Sequence, residues 1–233
     1  MNDKDTKHSK ICFRNLSFER KLEYLWDYYK FHLLGIIIVL ALMIGSLLIW
    51  HENSKPVLLN GYLLNTNWGD EQAQKLLEEY ASYGNYPLKE YNAYFNASVF
   101  IDTSIKDQMS TVAYTKVMSD LDMKEIDFFF CNQEMFNYFG EKEAFGDLEK
   151  SMPANLQERF QDKLISVKLY DEEGNVIGTY AAGINISDSP VLASMQKEHI
   201  LYEESQIFFT VPYNSQRLEK VWEFLEFLYY QQS

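Results

Sequence analysis

Ile126-Asp127-Phe128-Phe129-Phe130-Cys131 (IDFFFC) is a nearly continuous apolar run of strand length, the pattern of a strand covered on both faces in a parallel sheet. Upstream of it, Val57 to Asn65 (VLLNGYLLN) predicts a first strand. Asn60-Gly61 is also a possible hairpin turn, but Val57, Leu58 and Leu59 are too few for a good hairpin arm. Asp70 is placed to cap a helix whose apolar positions Ala73, Leu76, Leu77 and Tyr80 recur at three and four and which stops near Gly84. Tyr91 to Asp102 predicts a second strand, and Ser104 with Asp107 has the form of a capping box for a helix through about Leu121. Ile105, Met109, Val112, Ala113, Val117 and Leu121 are its expected buried face. Strand, helix, strand, helix, strand opens a doubly wound α/β fold.

Downstream, short helices are expected at Gln133 to Phe139 and Ala154 to Phe160, around a local Asp147-Leu148 step. Lys163 to Asp171 and Val176 to Ile186 read as two strands joined by Glu172-Glu173-Gly174-Asn175, a turn signal strong enough for an antiparallel hairpin. Ser189 to Lys197 predicts a short helix and Gln206 to Tyr213 a further strand, with Asn214 placed to cap a last helix. There Leu218, Val221, Trp222, Leu225, Leu228 and Tyr229 form an apolar stripe suited to core packing.

Ahead of this α/β pattern, Leu33 to Trp50 (LLGIIIVLALMIGSLLIW) runs for 18 residues without a charge. As a helix it spans about 27 Å, close to a bilayer hydrocarbon core. Trp26, Tyr28, Tyr29 and Phe31 precede it and Trp50 closes it, placing aromatic rings at both interfaces. Thirty-two residues precede the run and no small-x-small cleavage pattern follows, so a signal anchor is expected rather than a cleaved peptide. Seven Lys/Arg lie before the span, but only Lys55 is basic from His51 to Gln74, which predicts a cytoplasmic N-terminus and an extracytoplasmic remainder. The expected organisation is a basic tail (1–32), a span (33–50), a tether (51–56) and one domain (57–233).

The part after the span, about 183 residues, is enough for one domain with a substantial core. The net charge is −13; the tail carries +2 from seven basic residues against Asp3, Asp5, Glu19, Glu23 and Asp27, leaving −15 on the domain. That field disfavours nucleic acid and anionic headgroups and mildly favours cationic solutes or basic protein surfaces. The two cysteines, Cys12 and Cys131, fall on opposite sides of the expected membrane, so no intramolecular disulfide is expected.

A segment reading Lys21-Leu22-Glu23-Tyr24-Leu25-Trp26-Asp27-Tyr28-Tyr29-Lys30, then the span, then Leu59-Asn60-Gly61-Tyr62 resembles single-pass membrane proteins of Gram-positive, Clostridia-like bacteria. The domain is similar to extracellular solute-binding proteins of ABC transporters, the type 2 periplasmic-binding fold. Glu125 to Phe130, Glu134-Met135-Phe136, Phe145-Gly146-Asp147-Leu148 and Ala182 to Pro190 carry that resemblance. It implies a mixed, mostly parallel sheet like one lobe of such a protein. The chain is short for two lobes, so the implied form is a shortened one.

No HExxH, GxSxG, GxxxxGK[ST] or GxGxxG pattern is present. Of His8, His32, His51 and His199, only the last two could serve an exported site. Cys131 with His199 is a conceivable nucleophile and base, but a thiol in an apolar strand is normally inert. Carboxylate pairs such as Glu78-Glu79 and Glu203-Glu204 are too common to specify acid and base chemistry, and Asp171 to Asn175 is too sparse for calcium. No catalytic residue, metal or cofactor is expected.

In a doubly wound sheet the ligand crevice lies beyond the carboxyl ends of the strands. The loops expected there are Asn65 to Trp68, Asp102-Thr103-Ser104 and Asn132-Gln133-Glu134. Asn65, Asn67 and the Trp68 indole join them in offering amides, hydroxyls, carboxylates and one ring for a sugar or cation. The plainer role for Asp102, Ser104 and Asn132 is helix capping. The expected function is non-enzymatic recognition of a small solute or an envelope protein, with loss of solute binding as the alternative and an exported hydrolase as a third reading.

Overall fold

The computed structural model describes residues 18–104, 107–171, 173–197, 199–203 and 206–230. The basic tail through residue 17 and Ile105 lie outside them. The chain divides into two units, one through Ser54 and one from Lys55.

The first unit is a single helix, α1 (Phe18–Asn53). Its segment Tyr29–Asn53, 25 residues with none buried, is long and apolar enough to cross a membrane. Trp26, Tyr29, Phe31 and Trp50 are exposed on it; the side chain of Tyr28 is outside the described residues. The helix runs through Asn53, so the first half of the expected tether at 51–56 is helical.

The second unit holds β1 (Val57–Leu64), α2 (Asp70–Tyr83), β2 (Asn92–Val99), α3 (Gln108–Asp122), β3 (Phe128–Cys131) and α4 (Gln133–Gly140). After them come α5 (Leu148–Ser151), α6 (Ala154–Phe160), β4 (Leu164–Tyr170), β5 (Val176–Asn185), α7 (Pro190–Met195), β6 (Phe208–Thr210) and α8 (Leu218–Leu228). The strands form one sheet in the order β2-β1-β3-β6-β5-β4. β1 pairs in parallel with β2 and β3. The pairings β3–β6, β6–β5 and β5–β4 are antiparallel. Two of the five pairings are parallel, which corrects the expected mostly parallel sheet: β4 and β5 form a hairpin, and β6 enters antiparallel to both of its neighbours, β3 and β5.

Because β1 sits between β2 and β3, the two crossovers run in opposite directions across the sheet. Right-handed crossovers then place α2 and α3 on opposite faces. The side chains follow: Leu76, Leu77 and Tyr80 of α2 join one core with Phe128 and Phe130, whereas Val117 and Leu121 of α3 join the other with Phe129 and Cys131. All four residues of β3 are fully buried and alternate between the cores, as period-two geometry requires. α8 lies over the first core, with Phe224 4.7 Å from Phe128 and 5.1 Å from Tyr80 between ring centroids. Gly61 in β1 is needed there, because a Cβ would sit 2.1 Å from the Phe128 ring.

Several helix starts differ from expectation. Gly69 occupies the cap of α2 and Asp70 is its first residue, accepting a hydrogen bond from Ser98 Oγ at 2.8 Å. Asp107 alone caps α3, accepting from Ser110 N at 2.6 Å. Met109 and Val112 are 82% and 62% exposed, so the buried face of α3 is rotated toward Val117 and Leu121. Asn214 does not cap α8; its Nδ2 donates to Leu121 O at 2.8 Å. Arg217 stands at that position and its Nε donates to the fully buried Asp127 at 2.7 Å. Asp127 also accepts from Asn60 N at 2.8 Å and from Ser215 Oγ at 3.2 Å. Burial pushes the Asp127 carboxyl above its ordinary range, with Arg217 and Asn60 pulling the other way.

Candidate functional site

The strand order reverses at β1 and β3, so the crevice of this sheet belongs at their carboxyl ends. The three expected loops do meet there. Asn65, at φ 53°, clasps the β2 loop twice: its Nδ2 donates to Ile101 O and its Oδ1 accepts from Ile101 N, both at 2.8 Å. Thr103 Oγ1 donates to Glu134, joining the second loop to the third. Asp102 accepts from Ser104 N at 2.8 Å and from Ser104 Oγ at 2.6 Å in a local turn. Asn132 caps α4 by accepting from Met135 N at 3.0 Å, and Gln133 Nε2 donates to Asn137 Oδ1 at 3.0 Å.

What fills the crevice is the chain itself. The segment 199–203, between α7 and β6, folds over the ends of β1 and β3, burying Leu201 completely and Tyr202 almost so. The Tyr202 hydroxyl lies 2.9 Å from both Leu64 O and Phe130 O, carbonyls at the carboxyl ends of the two strands at the switch point. Leu201 O accepts from Thr66 Oγ1 at 3.0 Å and from Asn67 N at 2.9 Å. Trp68, expected as an exposed platform, is only 2% exposed, and its Nε1 donates to His199 O at 2.8 Å. Its indole is core, packed in the same cluster as Leu201 and Tyr202. His199 O, Leu201 O and the Tyr202 hydroxyl thus each meet a partner, which is what lets a non-helical segment stay buried.

A cavity of about 650 Å³ lies at the other edge of the sheet. α3 and α4 run back from the carboxyl ends of the strands, so the end of α3 and the turn after α4 come together beside the amino end of β3. Met118 and Leu121 of α3, Phe145, and Leu169 and Tyr180 of the β4–β5 hairpin give the cavity apolar and aromatic walls. Tyr213, 57% exposed, adds a phenol ring. Asp122, Glu143 and Asp147 are its acidic lining residues, and Lys142 and Lys150 its basic ones. Lys150 is tied to Asp147 at 2.7 Å, and the Lys142 ammonium lies over the Tyr138 ring at 4.3 Å from its centroid. Tyr180 donates to Gly140 O at 3.0 Å. Its phenol is pushed up to about 12 by burial and then by the negative charges of Glu143 and Asp147.

Glu143 holds a left-handed backbone at φ 56° where α4 ends, a conformation for which glycine is the usual residue. The turn is fixed by Glu143 N to Gly140 O at 3.0 Å and Ala144 N to Phe139 O at 3.1 Å. As a set these cavity residues are not legible in the sequence, because they come from four separated stretches that share no motif: the end of α3, the segment 142–150, the β4–β5 hairpin and Tyr213. Cys131 is fully buried in β3 and burial pushes its thiol up, leaving it protonated and inert at neutral pH. No cluster of metal-ligating side chains occurs among the described residues.

No family model matches the chain. Neither the curated proteins nor the solved structures contain a match to it.

Proposed function

We propose that this chain is a single-span membrane protein with a cytoplasmic N-terminus, displaying a non-catalytic α/β recognition domain outside the cell. The apolar helix Tyr29–Asn53 and the excess of Lys/Arg before it support the anchor and its direction. The observation that carries the functional part is the filled switch point: Leu201 and Tyr202 take up the volume where a solute would be held. That favours the shortened, interaction form of the solute-binding resemblance, with recognition at surfaces away from the strand ends.

Two measurements test this reading. A membrane-impermeant maleimide applied to intact cells should leave Cys12 unlabelled until the membrane is permeabilised; labelling before that reverses the topology. Photo-crosslinkers placed across the domain of the full chain in its native membrane should trap a fixed partner from the cavity edge, and no adduct at the strand-end loops. Adducts with a small solute at Thr103 or Asn67 would restore the solute-capture reading.

A further inference from the structure

We infer that the 650 Å³ cavity at the amino edge of the sheet is a binding site for an organic ammonium: a protonated amine carried on an apolar or aromatic frame. The inference rests on the recognition reading and names the chemistry of its site.

Volume and shape come first. The cavity lies within the range of small-molecule sites, which runs from about 300 to 1,000 Å³, and mixes apolar walls with a few polar groups as such sites do. Met118, Leu169 and Tyr180, each half-buried, supply surface that gains by covering an apolar frame, over a floor of buried Leu121 and Phe145.

Charge decides the class. The lining has three carboxylates against two ammoniums, and Lys150 is already neutralised by Asp147. Lys142 is held by the face of Tyr138. The carboxylates of Asp122 and Glu143 have no hydrogen-bond or ion-pair partner among the described residues. The exposed ring of Tyr213 offers a π-face that attracts an ammonium. An anionic ligand would meet two uncompensated carboxylates, and a domain carrying −15 repels it before contact.

Two sources carry this chemistry: a free amine, or the lysine side chain of a partner polypeptide. The full chain in detergent micelles is titrated calorimetrically with phenethylamine, with spermidine and with a short lysine peptide, and each is matched by its N-acetylated form. The expected result is binding of at least one amine, weakened about tenfold or more on acetylation. Glu143→Gly and Asp122→Asn should each weaken it by about threefold to tenfold. Glu143→Gly removes the carboxylate while relieving the left-handed backbone, so it keeps the fold, which circular dichroism and the melting temperature verify. Preference for the peptide over the free amines identifies a protein partner, and the reverse a solute. Silence of every amine up to about 10 mM, or equal binding of the acetylated forms, overturns the inference. The photo-crosslinking result stands apart from it: a trapped partner with silent amines would refute this site while leaving the recognition reading intact.

Discussion

At the carboxyl edge of the sheet the chain closes over itself, whereas at the amino edge it leaves a charged cavity open. The closed edge is held by neutral groups: Tyr202, Thr66 and Trp68 satisfy backbone carbonyls, and Leu201 and the indole exclude water. The open edge is ionic, with buried Asp127 paired to half-buried Arg217 in one loop system and the carboxylates of Asp122 and Glu143 left uncompensated beside it. Residues 213–217 connect these features, since Tyr213 lines the cavity, Asn214 holds Leu121 and Ser215 holds Asp127. A topological switch point is therefore a place where a crevice can form, and a chain that supplies its own occupant can spend that place on stability. What remains for recognition is the edge that the topology does not advertise.

The largest expected contrast is between two aromatic residues. Trp68→Ala should cost about 3–5 kcal/mol, since it empties a packed site and orphans a carbonyl. Tyr213→Ala, at an exposed wall, should stay within about 0.5 kcal/mol of the parent. Urea denaturation of the two variants measures both, and equal losses would break the comparison between edges.

The next effect probes the ionic edge. Arg217→Met leaves Asp127 buried and unpaired, a loss of about 3–5 kcal/mol at neutral pH. Because burial already raises the Asp127 carboxyl, the folded state binds its proton at higher pH than the unfolded chain does. Stability from this group therefore falls as pH rises through the raised value, and the deficit of the variant should shrink on acidification toward the ordinary carboxylate range. A pH series of denaturation curves in which the deficit instead grows on acidification would show that the pair is not buried as described.

Smaller changes sharpen the picture. Tyr202→Phe keeps the ring and removes the hydroxyl shared by Leu64 O and Phe130 O, for a loss of about 1–2 kcal/mol by denaturant titration. Glu143→Gly should gain about 0.5–1 kcal/mol, seen as a higher melting temperature, because a strained residue is replaced by the one that tolerates its conformation. A loss of stability there would mean the carboxylate is holding the turn rather than facing a ligand.

The sequence made the parallel half of the sheet legible because β3 is apolar at every position and its neighbours carry clear helical spacing. The hairpin between β4 and β5 was equally plain, since Gly174 sits at φ 82° in a turn that needs it. The antiparallel attachment of β6 was not, as three residues carry no signal of direction. The face of α3 was misplaced because Met109 and Val112 fit a helical stripe yet point to solvent, and spacing alone cannot set the rotation of a helix. The three loops lie at the strand ends, where the strand pattern puts them, but the segment that covers those ends carries no sequence signal of its own. Ile200-Leu201-Tyr202 is an apolar triplet in a polar connection, and only the long-range contacts with Thr66 and Trp68 give it meaning.

The most direct test of the closed edge is hydrogen exchange of the full chain at the amide of Asn67, whose acceptor is Leu201 O. If the strap permanently occupies the switch point, Asn67 should exchange as slowly as Phe129 in the centre of the sheet, through global unfolding alone. Exchange of Asn67 at the rate of an exposed loop, with Phe129 still protected, would show that the crevice opens and would contradict the account.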